Sequence, residues 1–109
     1  ISILELSHNL INEIRVNDSD KKQLLDPLIR NTMNNYFQSG TVKSLTGPIS
    51  RGDLTTIKSH LSELENMSSK WLKAYIKLGE ITVDLAAKQK HAKHENLSEI
   101  ASLLKNFRF

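Results

Sequence analysis

The residues with the clearest capacity for chemistry lie in one short stretch, Ser44–Asp53, which reads Ser-Leu-Thr-Gly-Pro-Ile-Ser-Arg-Gly-Asp. Gly47 followed by Pro48 predicts a rigid bend, because proline fixes its own φ and glycine tolerates the conformation before it. Gly52 allows either a positive φ or the close approach of another group. The stretch therefore predicts a shaped bend that differs from a generic loop.

An anion is the ligand that such a bend suits. Asp53 is a favourable N-cap, and the first amides of the helix after it would point back at the bend. Bare amides at a helix start favour negative charge, the Thr46 hydroxyl adds a donor, and the Arg51 guanidinium can hold a carboxylate with two bonds. The alternative is a purely structural turn between two helices, closed by an ion pair between Arg51 and Asp53.

Three polar residues on the neighbouring predicted helices could take part. His60 follows Asp53 on the next helix; it either donates a proton or contacts a carboxylate, or it is a half-buried histidine bonded to loop backbone. Thr32 and Asn35 lie one turn apart on an otherwise apolar helix face. They either cap amides of the bend or touch a substrate.

Two other motifs have the spacing of known sites but are not expected to be functional. His91 and His94 are spaced i, i+3 next to Glu95, but the lysines around them predict a basic helix end rather than a metal site. Arg51-Gly52-Asp53 spells a cell-adhesion tripeptide, yet the chain has no visible secretion signal and Asp53 is expected to cap a helix.

The elements that position these residues are predicted to be helices, because apolar residues recur at helical spacing on both sides of Gly40–Gly52. The fold class is all-α, a bundle of about five helices. The first apolar stripe runs from Ile3 to Ile14 and is followed by a polar cluster, Asn17–Asp20, that can cap the next helix. Pro27 either kinks that helix or restarts it with Asp26 as cap, and Gly40 is expected to stop it. Ser68 or Ser69 is expected to cap a long helix in which Trp71 and Tyr75 pack in the core or at a dimer interface and Gly79 allows close approach of another helix. A last helix is expected to start near Asn96, with Glu99 as the capping partner of Asn96.

Composition bounds the remaining possibilities. The 109 residues suit one domain, 1–109, and the absence of cysteine excludes disulfides, thiolate zinc sites and cysteine nucleophiles and favours a reducing cytoplasm. No apolar run approaches the roughly 20 residues of a membrane span. With 15 cations against 12 anions and 6% aromatic residues, nucleic-acid binding is disfavoured because a basic stripe and a stacking platform are both missing.

The sequence from Pro27 onwards, including the bend Ser44–Asp53, resembles a known family. Its members are helical C-terminal domains of uncharacterised function that follow a Rossmann-like NADP-binding domain in oxidoreductases. The resemblance starts at Pro27-Leu28-Ile29, includes Gly40, and continues ungapped through Leu45–Asp53; Tyr75, Leu78 and Thr82 resemble a later helix of the family. The residues that fall in register with the signature are Thr32, Asn35, Thr46, Gly47, Pro48, Arg51, Gly52, Asp53, Thr56 and His60.

The resemblance implies a fold similar to the C-terminal dimerisation domain of 6-phosphogluconate dehydrogenase-like enzymes. It places the chain near β-hydroxyacid dehydrogenases, pyrroline-5-carboxylate reductases and an alternative ketopantoate reductase. It implies a homodimer through the helix 71–87, a small carboxylate substrate held at Thr46, Gly47, Pro48, Arg51, Gly52, Asp53, Thr32 and Asn35, and His60 as a candidate proton donor.

The cofactor domain itself is missing from this sequence, since no G-x-G-x-x-G follows a strand. NADP would be bound by a preceding domain, and we expect this chain to be a fragment without activity alone. The competing interpretation is a non-catalytic helical module that dimerises or docks a partner.

Overall fold

A computed structural model describes residues 1–12 and 17–107, and within them every regular element is a helix. The helices are α1 (Ser2–Asn12), α2 (Asp18–Ser44), α3 (Pro48–Arg51), α4 (Leu54–Met67), α5 (Ser69–Gln89) and α6 (His94–Asn106). The predicted all-α class is confirmed. The described residues form five longer helices and the four-residue α3, which lies inside the bend between α2 and α4. Ile14, at the end of the first predicted stripe, lies outside the described residues.

The chain divides into two units, unit 1 (Ile1–Gln38) and unit 2 (Ser39–Phe109). The boundary falls within α2, just before Gly40, where φ of 77° and ψ of −175° interrupt the helical backbone. The predicted stop at Gly40 is thus a break, after which helical structure resumes as far as Ser44. That the chain forms a single domain stays a prediction.

Unit 1 contains α1 and the larger part of α2. The predicted polar cap is confirmed, since the Asn17 side chain accepts a hydrogen bond of 2.9 Å from the Asp20 amide. The restart at Pro27 is wrong, because α2 continues through Pro27 and Asp26 pairs with Arg30 one turn later instead of capping a new helix. A kink at Pro27 stays a prediction.

The core of unit 2 lies around α5, which packs against α3, α4 and α6. Its buried members come from all four helices: Ile49, Ile57, Leu61, Leu64, Leu72, Ile76, Ala86, Leu97, Ile100 and Leu104. Trp71 and Tyr75 are partly buried and pack against this cluster, in agreement with a packing role. Burial of these aliphatic side chains stabilises the arrangement that holds the bend.

Gly79 brings α5 and α6 together. A Cβ placed on this residue would lie 3.0 Å from Cδ1 of Leu104, which is itself buried. Glycine costs about 1 kcal/mol relative to alanine inside a helix, so the close contact with α6 explains why it is tolerated there. The predicted close helix contact is confirmed, with Leu104 as the partner.

Helix starts were predicted correctly where the cap is local. Asp53 caps α4 by accepting from the Thr56 amide at 3.1 Å, and Ser68 caps α5 by accepting from the Trp71 amide at 3.5 Å. The last helix is present near the predicted position, but Asn96 is not its cap. The helix begins at His94, and the Leu97 amide already bonds the Lys93 carbonyl, so Asn96 is inside the first turn.

Within the described residues, no helix combines the length and the apolar character needed to cross a membrane.

Candidate functional site

The predicted bend is a compact turn that the structure assembles from Leu45 to Asp53. Gly47 adopts φ of 100° immediately before Pro48, which opens α3, and Gly52 ends α3 with φ of 69°. These two positive φ values reverse the chain on either side of one helical turn. The rigid bend predicted from Gly47 and Pro48 is therefore present.

Several of the amides that could have held an anion are used inside the chain. The donors are the amides of residues 51–54, which bond the carbonyls of Gly47 (3.3 Å), Ile49 (3.0 Å), Pro48 (2.9 Å) and Gly52 (3.1 Å), respectively. The Asp53 side chain also occupies the start of α4, where it accepts from the Thr56 amide at 3.1 Å and the Thr56 hydroxyl at 2.6 Å. An anion at the bend would thus rely on side chains more than on these amides.

Arg51 is the side chain best placed for that purpose. Its guanidinium lies 3.7 Å from a carboxylate oxygen of Asp53, and 63% of the Arg51 side chain is exposed. A separation of 3.7 Å is too long for a hydrogen bond, so the pairing leaves the guanidinium donors available. The predicted ion pair between the two residues exists, but it does not enclose Arg51.

Asp53 is held in its ionised form. Its pKa is lowered, first by the hydrogen bond from the Thr56 hydroxyl, next by the bond from the Thr56 amide, and further by the nearby Arg51 guanidinium; desolvation acts in the opposite direction. The negative charge at the start of α4 is therefore an Asp53 carboxylate at neutral pH. It competes with any external anion for the same helix end.

The two glycines of the bend face different surroundings. A Cβ on Gly52 would lie 3.0 Å from Cβ of Asn96 and 3.1 Å from Cβ of Ala92, so this buried glycine faces the start of α6. A Cβ on Gly47 would meet nothing within 4 Å. Gly52 is thus favoured by its positive φ and by its contact with α6, whereas Gly47 is favoured by its positive φ alone and, like the exposed Thr46, borders open space.

His60 and Tyr75 form a pair that joins α4 to α5. The His60 Nδ1 atom lies 3.0 Å from the Tyr75 hydroxyl, and the two rings meet edge to face at 86°. Burial raises the pKa of Tyr75 to about 12, so its phenol stays protonated at neutral pH. His60 is exposed, and its partner is a tyrosine; it is not the half-buried histidine bonded to loop backbone that was one alternative.

Thr32 and Asn35 are exposed residues of α2 in unit 1, whereas the bend belongs to unit 2. The Thr32 hydroxyl donates a hydrogen bond of 2.7 Å to the Leu28 carbonyl of its own helix. A role of these two residues towards the bend or a substrate stays a prediction.

Gln89 is the residue that the sequence did not single out. Its side-chain nitrogen donates to the Leu45 carbonyl at 2.8 Å and to the Val42 carbonyl at 3.0 Å, and its side-chain oxygen accepts from the Ser50 hydroxyl. A glutamine near the end of a helix carries no motif, and its partners are about 40 positions away. Only the fold reveals that Gln89 ties the bend to α5.

In the part of the chain that the structure describes, no group of three or more histidine, cysteine, aspartate or glutamate side chains is arranged to hold a metal ion. His94, one of the two histidines considered for that role, lies 3.5 Å from the Ser98 hydroxyl.

Comparison with known proteins gives one match. No curated protein and no solved structure matches the chain. A family model matches residues 1–82 of the 109, which include the bend, His60 and Tyr75 and stop within α5. The match covers more than half of the chain, and the chain therefore belongs to the family described as a domain of unknown function, DUF2520.

Proposed function

We propose that the chain is the substrate-binding and dimerisation domain of an NADP-dependent oxidoreductase that reduces a small carboxylate-bearing keto acid or imine, with ketopantoate as one candidate. The observation that carries the proposal is the exposed Arg51 guanidinium on a rigid bend whose Thr46–Gly47 side is open. The oxidoreductase context comes from the resemblance of the bend and its flanking helices to the reductase-associated domain.

The chemistry assigned to this chain is carboxylate binding and proton delivery. Arg51 would bind the substrate carboxylate through two charge-assisted bonds, with the Thr46 hydroxyl as a further donor. NADPH, held by a preceding nucleotide-binding domain, would supply the hydride to the carbonyl or imine carbon. His60 would then give a proton to the oxygen or nitrogen, which yields a hydroxy acid or an amine.

The Tyr75 hydroxyl suits this role for His60. In the imidazolium form of His60, Nδ1–H can donate to the Tyr75 hydroxyl oxygen, which leaves Nε2–H to give its proton to the substrate. Because His60 is exposed, Nε2 would be the atom that faces a substrate. The pair would thus set which ring nitrogen acts as donor.

Dimerisation is assigned to the outer face of α5. The inner face of this helix is buried at Leu72, Ile76, Gly79 and Ala86, whereas Leu78 and Ile81 are 44% and 59% exposed. Large apolar side chains exposed side by side on a helix are favoured at subunit interfaces. A second copy of the chain is the proposed partner.

The test is NADPH oxidation by the full-length protein with ketopantoate and with pyrroline-5-carboxylate. Arg51→Met should raise the KM for the accepted acid about tenfold or more, because a charge-assisted pair contributes roughly 1.5 to 3 kcal/mol. Arg30→Met, which removes an exposed arginine of unit 1, is the matched control and should leave the KM unchanged. Equal KM values for both variants would refute the carboxylate role of Arg51.

A second candidate is a non-catalytic helical module that dimerises or docks a partner. It is favoured by the large apolar side chains that α2 exposes in unit 1, among them Leu28, Met33 and Phe37. Calorimetry separates the two functions: the reductase should bind NADPH and a keto acid, whereas the module should bind neither and still self-associate.

A further inference from the structure

We infer that Gln89 is a positioning residue that fixes the shape of the bend and thereby the direction in which Thr46 and Arg51 are presented. The part of this inference that concerns a ligand rests on the proposed function. The part that concerns the shape of the bend does not. Gln89 lies at the last position of α5, beyond the residues that the family model matches.

The hydrogen-bonding capacity of the Gln89 amide matches its surroundings. A side-chain amide offers two donor hydrogens and one acceptor oxygen. The hydrogens go to the carbonyls of Val42 and Leu45, before the bend, and the oxygen accepts from Ser50, inside α3. One side chain therefore fixes the distance between the entry to the bend and the short helix that carries Arg51.

Apart from Gln89, the carbonyls of Val42 and Leu45 accept at longer distances, from the Leu45 amide at 3.4 Å and from the Ser50 hydroxyl at 3.5 Å, respectively. Val42 lies in the last turn of α2 and Leu45 just after it, where helical carbonyls have no amide four residues ahead to accept from. Ser50 is 5% exposed, so its hydroxyl also needs a partner within the protein. Because a buried polar group without a partner is destabilising, loss of the Gln89 amide should change the conformation of the bend.

Glutamine is the side chain that can make all three bonds. Glutamate has the same length, but its ionised carboxylate cannot donate to either carbonyl. Methionine has a similar length and neither donates nor accepts well. The effect of Gln89→Glu on the bend should therefore be smaller in acid, where a protonated carboxyl regains one donor hydrogen. The effect of Gln89→Met should not depend on pH in this way.

The experiment is amide hydrogen exchange measured by mass spectrometry on the full-length protein. Its reporters are the amides of Leu45, which bonds the Val42 carbonyl just before the bend, and of residues 51–54, which bond carbonyls inside the bend. In Gln89→Met and in Gln89→Glu at pH 7.5, these amides should exchange about tenfold faster than in the unmodified protein. Lys88→Met changes the exposed neighbour on the same helix and should leave them unchanged.

Acid and kinetic readouts distinguish positioning from general destabilisation. At pH 4.5 the difference in amide exchange rate between Gln89→Glu and the unmodified protein should become smaller, while the difference between Gln89→Met and the unmodified protein should remain. If the proposed function holds, both variants should raise the KM for ketopantoate about tenfold and leave kcat within about twofold, since Gln89 does not touch the reacting atoms.

The outcomes separate the two proposals. Unchanged exchange at Leu45 and residues 51–54 in both Gln89 variants would overturn the positioning role. Faster exchange across the whole of unit 2, with no excess at the bend, would also overturn it. Faster exchange confined to the bend, in a protein that turns over no keto acid or imine, would refute the proposed function and support the role of Gln89 in shaping the bend.

Discussion

The Nδ1 atom of His60 and the hydroxyl of Tyr75 lie 3.0 Å apart, although the two residues are 15 positions apart in sequence. The contact links the outer side of α4 to α5. Both residues lie within the part of the chain that the family model matches. The pair therefore provides a direct way to separate a catalytic role of His60 from a structural one.

Replacement of Tyr75 by phenylalanine should lower kcat of the full-length reductase about tenfold while KM stays within about twofold. The reason is that Nδ1–H loses its acceptor, so the imidazolium ring is no longer held with Nε2–H towards the substrate, and general acid catalysis contributes roughly 100-fold or more. Steady-state NADPH oxidation measures the effect. Tyr36→Phe, at the other tyrosine of the chain, is the control, and equal kcat values for the two variants would contradict the prediction.

The helix cap made by Asp53 should make stability depend on pH. The folded protein lowers the pKa of Asp53 below its ordinary value of 3.8, so the carboxylate binds fewer protons in the folded than in the unfolded state. Its stabilising contribution is present above pH 3.8 and is lost as the pH falls through the lowered pKa. Asp53→Asn should therefore melt below the unmodified protein at pH 7, and the difference in Tm should narrow on acidification. A difference that stays constant from pH 7 to pH 2 would contradict this account.

Replacing Gly52 by alanine and replacing Lys90 by glycine should change the free energy of unfolding in opposite directions. Both adopt left-handed backbone, with φ of 69° and 65°. Gly52→Ala should destabilise the protein by about 2 to 4 kcal/mol, since the new methyl group meets Ala92 and Asn96 as well as a strained φ. Lys90→Gly should stabilise it by about 1 kcal/mol, because glycine relieves the left-handed strain.

Urea unfolding of both variants checks this pair of predictions. If Gly52→Ala lowers the free energy of unfolding by no more than about 1 kcal/mol, α6 moves to accommodate the added methyl group. A loss of stability in Lys90→Gly would mean that the lysine side chain contributes more than the strain of its backbone costs.

A charge on the outer face of α5 should abolish dimerisation. Ile81→Lys, alone or with Leu78→Lys, places a cation at the most exposed apolar positions of the helix, and burying an unpaired charge in an interface is unfavourable. Sedimentation at micromolar concentration should show a dimer for the unmodified protein and a monomer for the double variant. Asp84→Asn, an exposed change on the same helix, should remain dimeric. A monomer before any substitution would refute the proposed interface.

The sequence predicted the features whose causes are local. The cap of α4 depends on Asp53 and Thr56, three residues apart, and the cap of α5 on Ser68 and Trp71, also three apart. The bend at Gly47 follows from the backbone preferences of glycine and proline. The residue types suffice because each of these interactions closes within one turn of chain.

Two predictions from local signals, a cap at Asn96 and a helix restart at Pro27, are wrong. Asn96 and Glu99 have the spacing of a capping box, yet α6 begins at His94. Asn96 is instead packed where a Cβ on Gly52 would approach within 3.0 Å. Pro27 signals a helix boundary, but α2 continues past it. Residue spacing within one turn therefore fixes neither the start of α6 nor the continuation of α2.

The sequence by itself determined that this chain is helical, where its rigid bend lies, and which residues of that bend carry charge. Tertiary structure alone decided which of those groups remain available. It directs Gly52 towards α6, leaves Arg51 exposed, pairs His60 with Tyr75, and makes Gln89 the partner of Val42, Leu45 and Ser50. The physical reason is that hydrogen bonds and van der Waals contacts act over a few ångströms of space. Residues about 40 positions apart share such contacts only once the core of unit 2 has brought α3, α5 and α6 together.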